Sequence, residues 1–461
     1  MKYASPVLPV IPRKLCLLFS SRMCKTETRY SQEVGNALDS NVAVARGCIG
    51  ICPKIFTATW QSGYLVLLFT LLISAVWVLS QPRQSMAATE IKLTIPVVYI
   101  TRDEEPRIPL SLLDLPAEKE GFLGAQLGLN DNQTTGDFLG HKYVLSEVAV
   151  NVDDKIEDFV ARSNYPSGTI FVADLLADDL LTLATTYPNS LIINMRAVDD
   201  RLRNQDCRAN VLHVAPSRTM LADGLAQFLV WKRWDQLVLV TGRHQEDELF
   251  AQALRSSVER YGLKLVEEKP WTSIPGARRT DSGHHNLQQE IPTFSRFAEH
   301  DIVLVADEAD EFGEYFSYRT DAPRPIAGTQ GLIPTTWHRS QEQWGATQIQ
   351  RRFHKLAQRY MTPRDYSGWA AMRSIGEAVT QTSSNSVPEL RQYLLSEDFN
   401  LAGFKGVPLS YRDWNGQLRQ PILVVAPRML VSVSPQDGFL HQVSILDTLG
   451  FDKAQSSCQG F

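Results

Sequence analysis

A chain of 461 residues, 44% hydrophobic and 21% charged, is too long for one ordinary domain, and its composition is that of a globular protein rather than a disordered or fibrous one. A net charge of −5 carries no nucleic-acid signature, for which a basic domain would be expected. The six cysteines, Cys16, Cys24, Cys48, Cys52, Cys207 and Cys458, contain no doubled CxxC of a zinc site.

Residues 1–53 lack periodicity. Tyr64–Leu79 is an apolar run preceded by Lys54 and followed by QPRQSMAA, with Ser85 and Ala87 placed for cleavage after Ala87. The run is short of the roughly 20 residues that span a bilayer. The spacing therefore predicts an extension and signal peptide over 1–87 and export of the remainder, which the resemblance given below places in the periplasm, with membrane contact only through this segment or through a membrane partner. An uncleaved anchor is the alternative. After cleavage only Cys207 and Cys458 remain. In an oxidising compartment they can pair; the other reading is two separate buried thiols.

The exported part alternates between strand and helix patterns. Strands are predicted at Ile91–Ile100, Lys142–Val150, Thr169–Ala173 and Ser190–Asn194. Helices are predicted at Gly121–Asn130, Asp153–Arg162 and Leu175–Thr185. Small residues on the first helix, Gly121, Gly124, Ala125 and Gly128, suit close packing on a sheet. Arg196–Asn210 reads as a linker, with a second lobe opening at Val211. In that lobe Ser217 is a helix N-cap before Leu221, Leu225, Phe228 and Leu229. Leu237–Val240 is a buried strand, and a helix carrying Phe250, Leu254, Val258 and Tyr261 ends at Gly262. A strand beginning at Leu263–Val266 and a long polar loop within Trp271–Glu290 follow. Further strands are predicted at Asp301–Ala306 and Pro325–Gly328, and helices at Gln341–Tyr360, Tyr366–Thr380 and Pro388–Leu395. Asn415-Gly416 marks a hairpin turn within Phe404–Val433. This alternation predicts an α/β fold with parallel sheets, whose ligand crevice lies at the carboxyl ends of the strands.

The segments GFLGAQLGLNDNQTTGDFLGHKYVL, RANVLHVAPSRTMLADGLAQFLVWKRWDQLVLV, YSGWAAMRSIGEAV and FKGVPLSYRDWNGQLRQPILVV resemble the type I periplasmic binding proteins of the branched-chain amino-acid branch. CRANVLHVAPSR, GARRTDSGH, VADEADEFGEY, EQWGATQ, GQLRQPIL and MLVSVSPQDGFLHQ, with a terminal cysteine, resemble one subfamily. Its members are binding proteins of ABC transporters associated with pyrroloquinoline-quinone-dependent alcohol dehydrogenase systems. The resemblance implies two Rossmann-like lobes with parallel sheets, joined by a three-crossing hinge and closing on a small solute. It divides the chain into a first lobe at 88–208, completed by 335–403, and a second at 209–334, completed by 404–461. It also implies an ABC permease as partner, a monomer, a link to alcohol oxidation, and neither a catalytic role nor a cofactor. The alternative function is a sensor ectodomain that reports ligand occupancy to a membrane partner.

Ligand-contact candidates stand at the strand ends: Arg102, Asp174, Asn194, Arg196, Arg243, Asp307, Glu308 and Thr329. Each has a structural alternative as a solvated loop charge or a helix cap. The family's hydroxyl clamp for α-amino acids is broken at Val198, which cannot donate a hydrogen bond. A polar, non-amino-acid solute follows, with Arg196 the leading contact. Clustered Asp307, Glu308 and Asp310, and His284 and His285 beside Asp281, match no metal-loop spacing, so no metal is expected. Trp337, Trp344 and Trp369 read as core residues. No GxSxG, HExxH or phosphate-loop pattern argues for catalysis.

Overall fold

The computed structural model describes residues 90–104, 116–273, 289–317 and 319–461. The apolar run Tyr64–Leu79, its cleavage site and His284–His285 lie outside the described residues. Among the described residues no helix is long and apolar enough to cross a membrane.

The chain opens with β1 (Leu93–Arg102), α1 (Phe122–Leu139), β2 (His141–Val150), α2 (Ile156–Ser163), β3 (Ile170–Asp174), α3 (Ala177–Thr186), β4 (Leu191–Asn194) and β5 (Val211–His213). The five strands form one parallel sheet in the order β2-β1-β3-β4-β5. β3 and β4 are buried along their whole length, because helices cover both faces of the sheet. β5 was expected to open the second lobe. It instead closes the first sheet, with Asn194 opposite His213.

The chain then crosses to α4 (Arg218–Lys232), β6 (Gln236–Thr241), α5 (Gln245–Arg260), β7 (Lys264–Pro270), β8 (Ile302–Ala306) and β9 (Ile326–Gly328). Their parallel sheet runs β7-β6-β8-β9. Ser217 caps α4 by accepting from the Met220 amide at 3.2 Å. The α4 and α5 face buries Leu225, Phe228, Phe250 and Leu254, and the other face an aromatic group of Trp271, Phe312 and Phe316.

After β10 (Ile333–Thr335), α6 (Ala346–Ala357), α7 (Pro363–Thr382) and α8 (Val387–Leu394) return to the first core. There follow β11 (Leu401–Ala402), β12 (Pro408–Tyr411), β13 (Leu418–Arg419), β14 (Ile422–Ala426) and β15 (Met429–Ser434). β12 and β13 flank the Asn415-Gly416 turn, with Gly416 at φ 65°. Leu409, Tyr411 and Leu418 still belong to the first core; Val424 of β14 belongs to the second. The backbone therefore passes between the cores three times, near 214–217, 335–337 and 419–422.

The small residues of α1 pack on α7 rather than on the sheet. A Cβ on Gly124 would stand 1.8 Å from the Asp365 carbonyl oxygen, and one on Gly128 2.7 Å from the Met372 Cβ. This contact also explains why α1 runs past its predicted end at Asn130. Asn132, a poor helix former, is buried and donates to the Met372 carbonyl at 2.7 Å, so tertiary packing overrides local propensity.

At the crossings, buried side chains take up the backbone carbonyls. Gln420 Nε2 donates to Val214 O at 2.7 Å, and Gln417 Nε2 to His213 O at 3.2 Å and Ala215 O at 3.1 Å. Arg203, 1% exposed, donates to Gln417 Oε1 and to the carbonyls of Ala197, Asp199 and Ala215. Lys405 Nζ donates to Gln420 Oε1 at 2.7 Å and lies 4.6 Å from the Tyr366 ring centroid. Burial holds its ammonium well below the ordinary lysine range.

The carboxyl-terminal segment runs over the same hinge. Asp447 pairs with Arg412 and Arg419, Gly450 N donates to Asp223 of α4, and Ser456 Oγ donates to Arg203 O. It ends in a disulfide between Cys207 and Cys458, whose Cα atoms are 5.6 Å apart. This covalent tie closes a long chain loop. Its reduction should lower unfolding free energy by about 2–5 kcal/mol. Urea denaturation with and without reductant, alongside thiol titration of the denatured, unreduced chain, checks this. Two free thiols, or an unchanged midpoint on reduction, would contradict it.

Candidate functional site

A cleft of ≈ 1260 Å³ opens where the carboxyl ends of the two parallel sheets meet. On the first side, Arg102 and Glu104 follow β1, Asp178 and Asp179 begin α3, and Met195–Gln205 contributes most of the loop after β4. On the second side stand Arg218 and Leu221 of α4, a face of α5, and Glu308 after β8. The second crossing supplies Thr335 and Thr336, and the start of α7 supplies Arg364 and Ser367. Of the eight candidates read from the sequence, the cleft brings together Arg102, Arg196 and Glu308, with Val198 beside them.

Four of the other five serve the frame. Asn194 is fully buried; its Oδ1 accepts from the Arg196 and Ala197 amides, while Nδ2 donates to Ala197 O at 2.8 Å and meets His213 Nδ1 at 3.0 Å. It thereby shapes the turn that presents Arg196. Asp307 is 1% exposed and accepts from the amides of Glu311, Phe312 and Gly313, the last at 2.7 Å. Thr329 Oγ1 donates to Val305 O and accepts from Asp307 N, both at 3.1 Å. Arg243 reaches away to Glu311 through two hydrogen bonds of 2.8 Å. Asp174 lies just behind the lining, accepting from Tyr99 Oη at 2.7 Å. Trp337 and Trp369 are buried in the first core, and Trp344 stays about half exposed away from the cleft lining. Among the described residues no group of three His, Cys, Asp or Glu side chains is placed to hold a metal.

Among the described residues five arginines line the cleft, and most are already committed. Arg102 grips Asp179 through Nε at 2.5 Å and Nη2 at 3.1 Å and also donates to Asp154 O. Arg201 pairs with Asp178 and Asp206. Arg218 donates to both Glu308 oxygens, Nη2 at 2.7 Å, and lies 3.5 Å from Asp199. Because Asp199 follows β4 and Glu308 follows β8, Arg218 ties the two lobes together beneath the cleft. Burial raises the Glu308 pKa, and the Arg218 bonds oppose that rise.

Arg196 and Arg364 differ. Arg196, with a side chain 11% exposed, meets the Glu104 carboxylate, and its Nε lies 3.9 Å from Asp174 Oδ1. Arg364 Nε approaches the same oxygen at 3.8 Å, and its Nη1 lies 3.6 Å from Glu120. These distances exceed hydrogen-bond length. Burial, with repulsion from Arg364, lowers Arg196 to about 10. Burial pushes Asp174 upward against the pull of Arg364 and the Tyr99 bond. Asp174 Oδ1 itself is buried with no hydrogen-bond partner.

Sequence reasoning missed Arg218 and Arg364, although both carry a signal. Each stands in the first turn of its helix, where a cation opposes the helix dipole. Such an arginine marks a nearby carboxylate, here Glu308 and Asp174.

Asn194→Ala should cost about 1–3 kcal/mol of stability by leaving buried polar groups unpaired, whereas Arg243→Ala should leave both fold and solute affinity unchanged. Thermal melts and titration calorimetry of the two variants check this. A stable Asn194→Ala protein, or an Arg243→Ala protein with altered affinity, would reverse the two assignments.

No protein-family model and no curated protein sequence matches the chain. Solved structures do. A branched-chain amino acid ABC transporter periplasmic ligand-binding protein from Burkholderia xenovorans superposes with TM-score 0.58 at 14% identity, over 79% of this chain and 99% of that one. A solute-binding protein of an ABC transporter from R. palustris, in complex with benzoate, gives 0.55 at 12% identity, over 79% and 99%. An ABC transporter substrate-binding protein from Desulfitobacterium hafniense, in complex with Leu, gives 0.51 at 13% identity, over 73% and 98%. Two parallel α/β lobes, a three-strand crossing and nearly full coverage of these chains together establish the fold as that of the type I periplasmic binding proteins.

Proposed function

We propose that this is an exported solute-binding protein that captures a small polar solute in the interlobe cleft and delivers it to the permease of an inner-membrane ABC importer. The observation that carries the reading is the cleft itself. Strand ends of both lobes converge on it, and two of its arginines, Arg196 and Arg364, are incompletely paired. Binding follows from that arrangement. A solute that touches both lobes stabilises the closed state by its differential contacts, and the population shifts toward closure.

Val198 lines the cleft, and by the sequence resemblance it stands at the family's hydroxyl clamp, where a valine cannot donate to an α-amino acid's carboxylate. The named solutes of two structural neighbours, leucine and benzoate, both carry a carboxylate. A polar acid held by Arg196 fits this cleft better than a branched-chain amino acid. The connection of that solute with quinoprotein alcohol oxidation rests on the sequence resemblance.

Native mass spectrometry of protein exported by its host should reveal a retained small molecule, and small-angle scattering should show compaction when that molecule is added back. Arg196→Ala should weaken its binding by about 2–5 kcal/mol, the cost of truncating a buried charge contact. Leucine, isoleucine and valine should not compete. No retained molecule and no compaction with any metabolite would sink the solute-binding reading; tight branched-chain amino-acid binding would sink only the specificity.

A further inference from the structure

Arg196 follows β4, Arg364 belongs to α7 and Asp174 ends β3, so three segments converge at one point, two guanidinium groups in the cleft lining and a carboxylate just behind it. Asp174 Oδ2 is satisfied by Tyr99 at 2.7 Å. Oδ1 is buried, has no hydrogen bond, and is flanked by guanidinium nitrogens at 3.8 Å and 3.9 Å. Both nitrogens stand too far away to donate to it. Arg364 donates no hydrogen bond among the described residues, and its acidic neighbours lie at 3.6 Å and 3.8 Å. Arg196 is answered by Glu104, whose side chain is 42% exposed at the mouth of the cleft. A half-exposed glutamate on a deeply set arginine occupies the position that a solute carboxylate would take.

We propose that the cleft is built for a hydroxycarboxylic acid. Its carboxylate displaces Glu104 and is held by Arg196 and Arg364, and its hydroxyl donates to Asp174 Oδ1. This assignment rests on the solute-binding reading above. Exchange of Glu104 for the solute conserves the local charge, because one carboxylate leaves as another arrives. A forked guanidinium suits a planar carboxylate in two-point contact. The acceptor at Asp174 separates a hydroxyl from an ammonium. A hydroxyl fills the vacant lone pair without adding charge, whereas an ammonium places a third cation beside two guanidinium groups already within 4 Å of the same oxygen. An acid with neither group leaves Oδ1 unpaired, as it is without solute, and forgoes the stabilisation that a hydroxyl supplies.

The test is titration calorimetry of the exported protein against acids matched in skeleton: lactate with alanine and propionate, 2-hydroxyisovalerate with valine and isovalerate, and mandelate with phenylglycine and phenylacetate. In at least one set the hydroxy acid should bind at least about tenfold tighter than both partners. Arg364→Ala should remove at least about tenfold of that affinity, and Arg364→Lys should restore only part of it. Glu104→Gln should tighten binding by freeing Arg196. An amino acid that binds as well as its hydroxy counterpart, or an Arg364→Ala protein of unchanged affinity, overturns the assignment. Compaction on a retained solute without a carboxylate also overturns it while leaving solute binding intact. Absence of compaction with every solute overturns both.

Discussion

The structure depends on how the backbone carbonyls at the first and third crossings are satisfied. Carbonyls of His213, Val214, Ala215 and Pro421 lie in the buried junction between lobes, and each is met by a side-chain donor from Gln417, Gln420, Arg203 or Lys405. Unpaired, such groups would cost free energy comparable to a lost hydrogen bond each. Two glutamines serve well because an amide both donates and accepts: Gln417 accepts from Arg203 while donating to the crossing strand. The junction is therefore a polar, buried strip between two apolar cores.

That strip also determines what can line the cleft. Arg203 draws in the carbonyls of Ala197 and Asp199, so the loop after β4 is held from below while Asn194 holds it from within. Arg196 and Val198 then face the opening on a rigid support. The disulfide and the carboxyl-terminal segment add a fourth connection across the same junction, with Asp447 bridging Arg412 and Arg419. Closure must preserve these ties, which favours a small rotation about the crossings over wide separation of the lobes.

Much of this fold is legible in the sequence, because strands buried on both faces read as apolar runs and the covering helices carry an apolar stripe. IVLVA at β8 and the Ser217 cap of α4 are recovered nearly to the residue. Elements fail where tertiary contact decides. α1 extends because Asn132 finds a carbonyl on α7, β5 joins the first sheet because Asn194 and His213 meet, and β10 and β11 are too short to show a period. The site was less legible for the same reason. Strand-end position alone cannot distinguish Arg102 or Arg243 from Arg196, since the first two are neutralised by Asp179 and Glu311, which lie 77 and 68 positions away. Asp307 and Asn194 show the opposite ambiguity: residue types suited to a ligand are consumed by the turns that bear the site.

The two arginines that begin helices sharpen the point. At α4 and at α7 a guanidinium sits against the positive end of a helix dipole, an arrangement that costs a few tenths of a kcal/mol to about 1 kcal/mol unless compensated. At α4 the compensation is complete, since Arg218 is forked onto Glu308 and leans on Asp199 of the other lobe. The first turn of α7 has its own acid in Asp365, but that carboxylate is turned inward to the Thr362 cap, Arg359 and the Gly121 amide. Arg364 is left with carboxylates it does not reach within hydrogen-bond distance. One opposed charge is thus spent on joining the lobes and the other is left facing the cleft. An incompletely answered cation and a buried, unfilled acceptor therefore stand side by side at the cleft, where the dipole of α7 opposes the cation instead of relieving it.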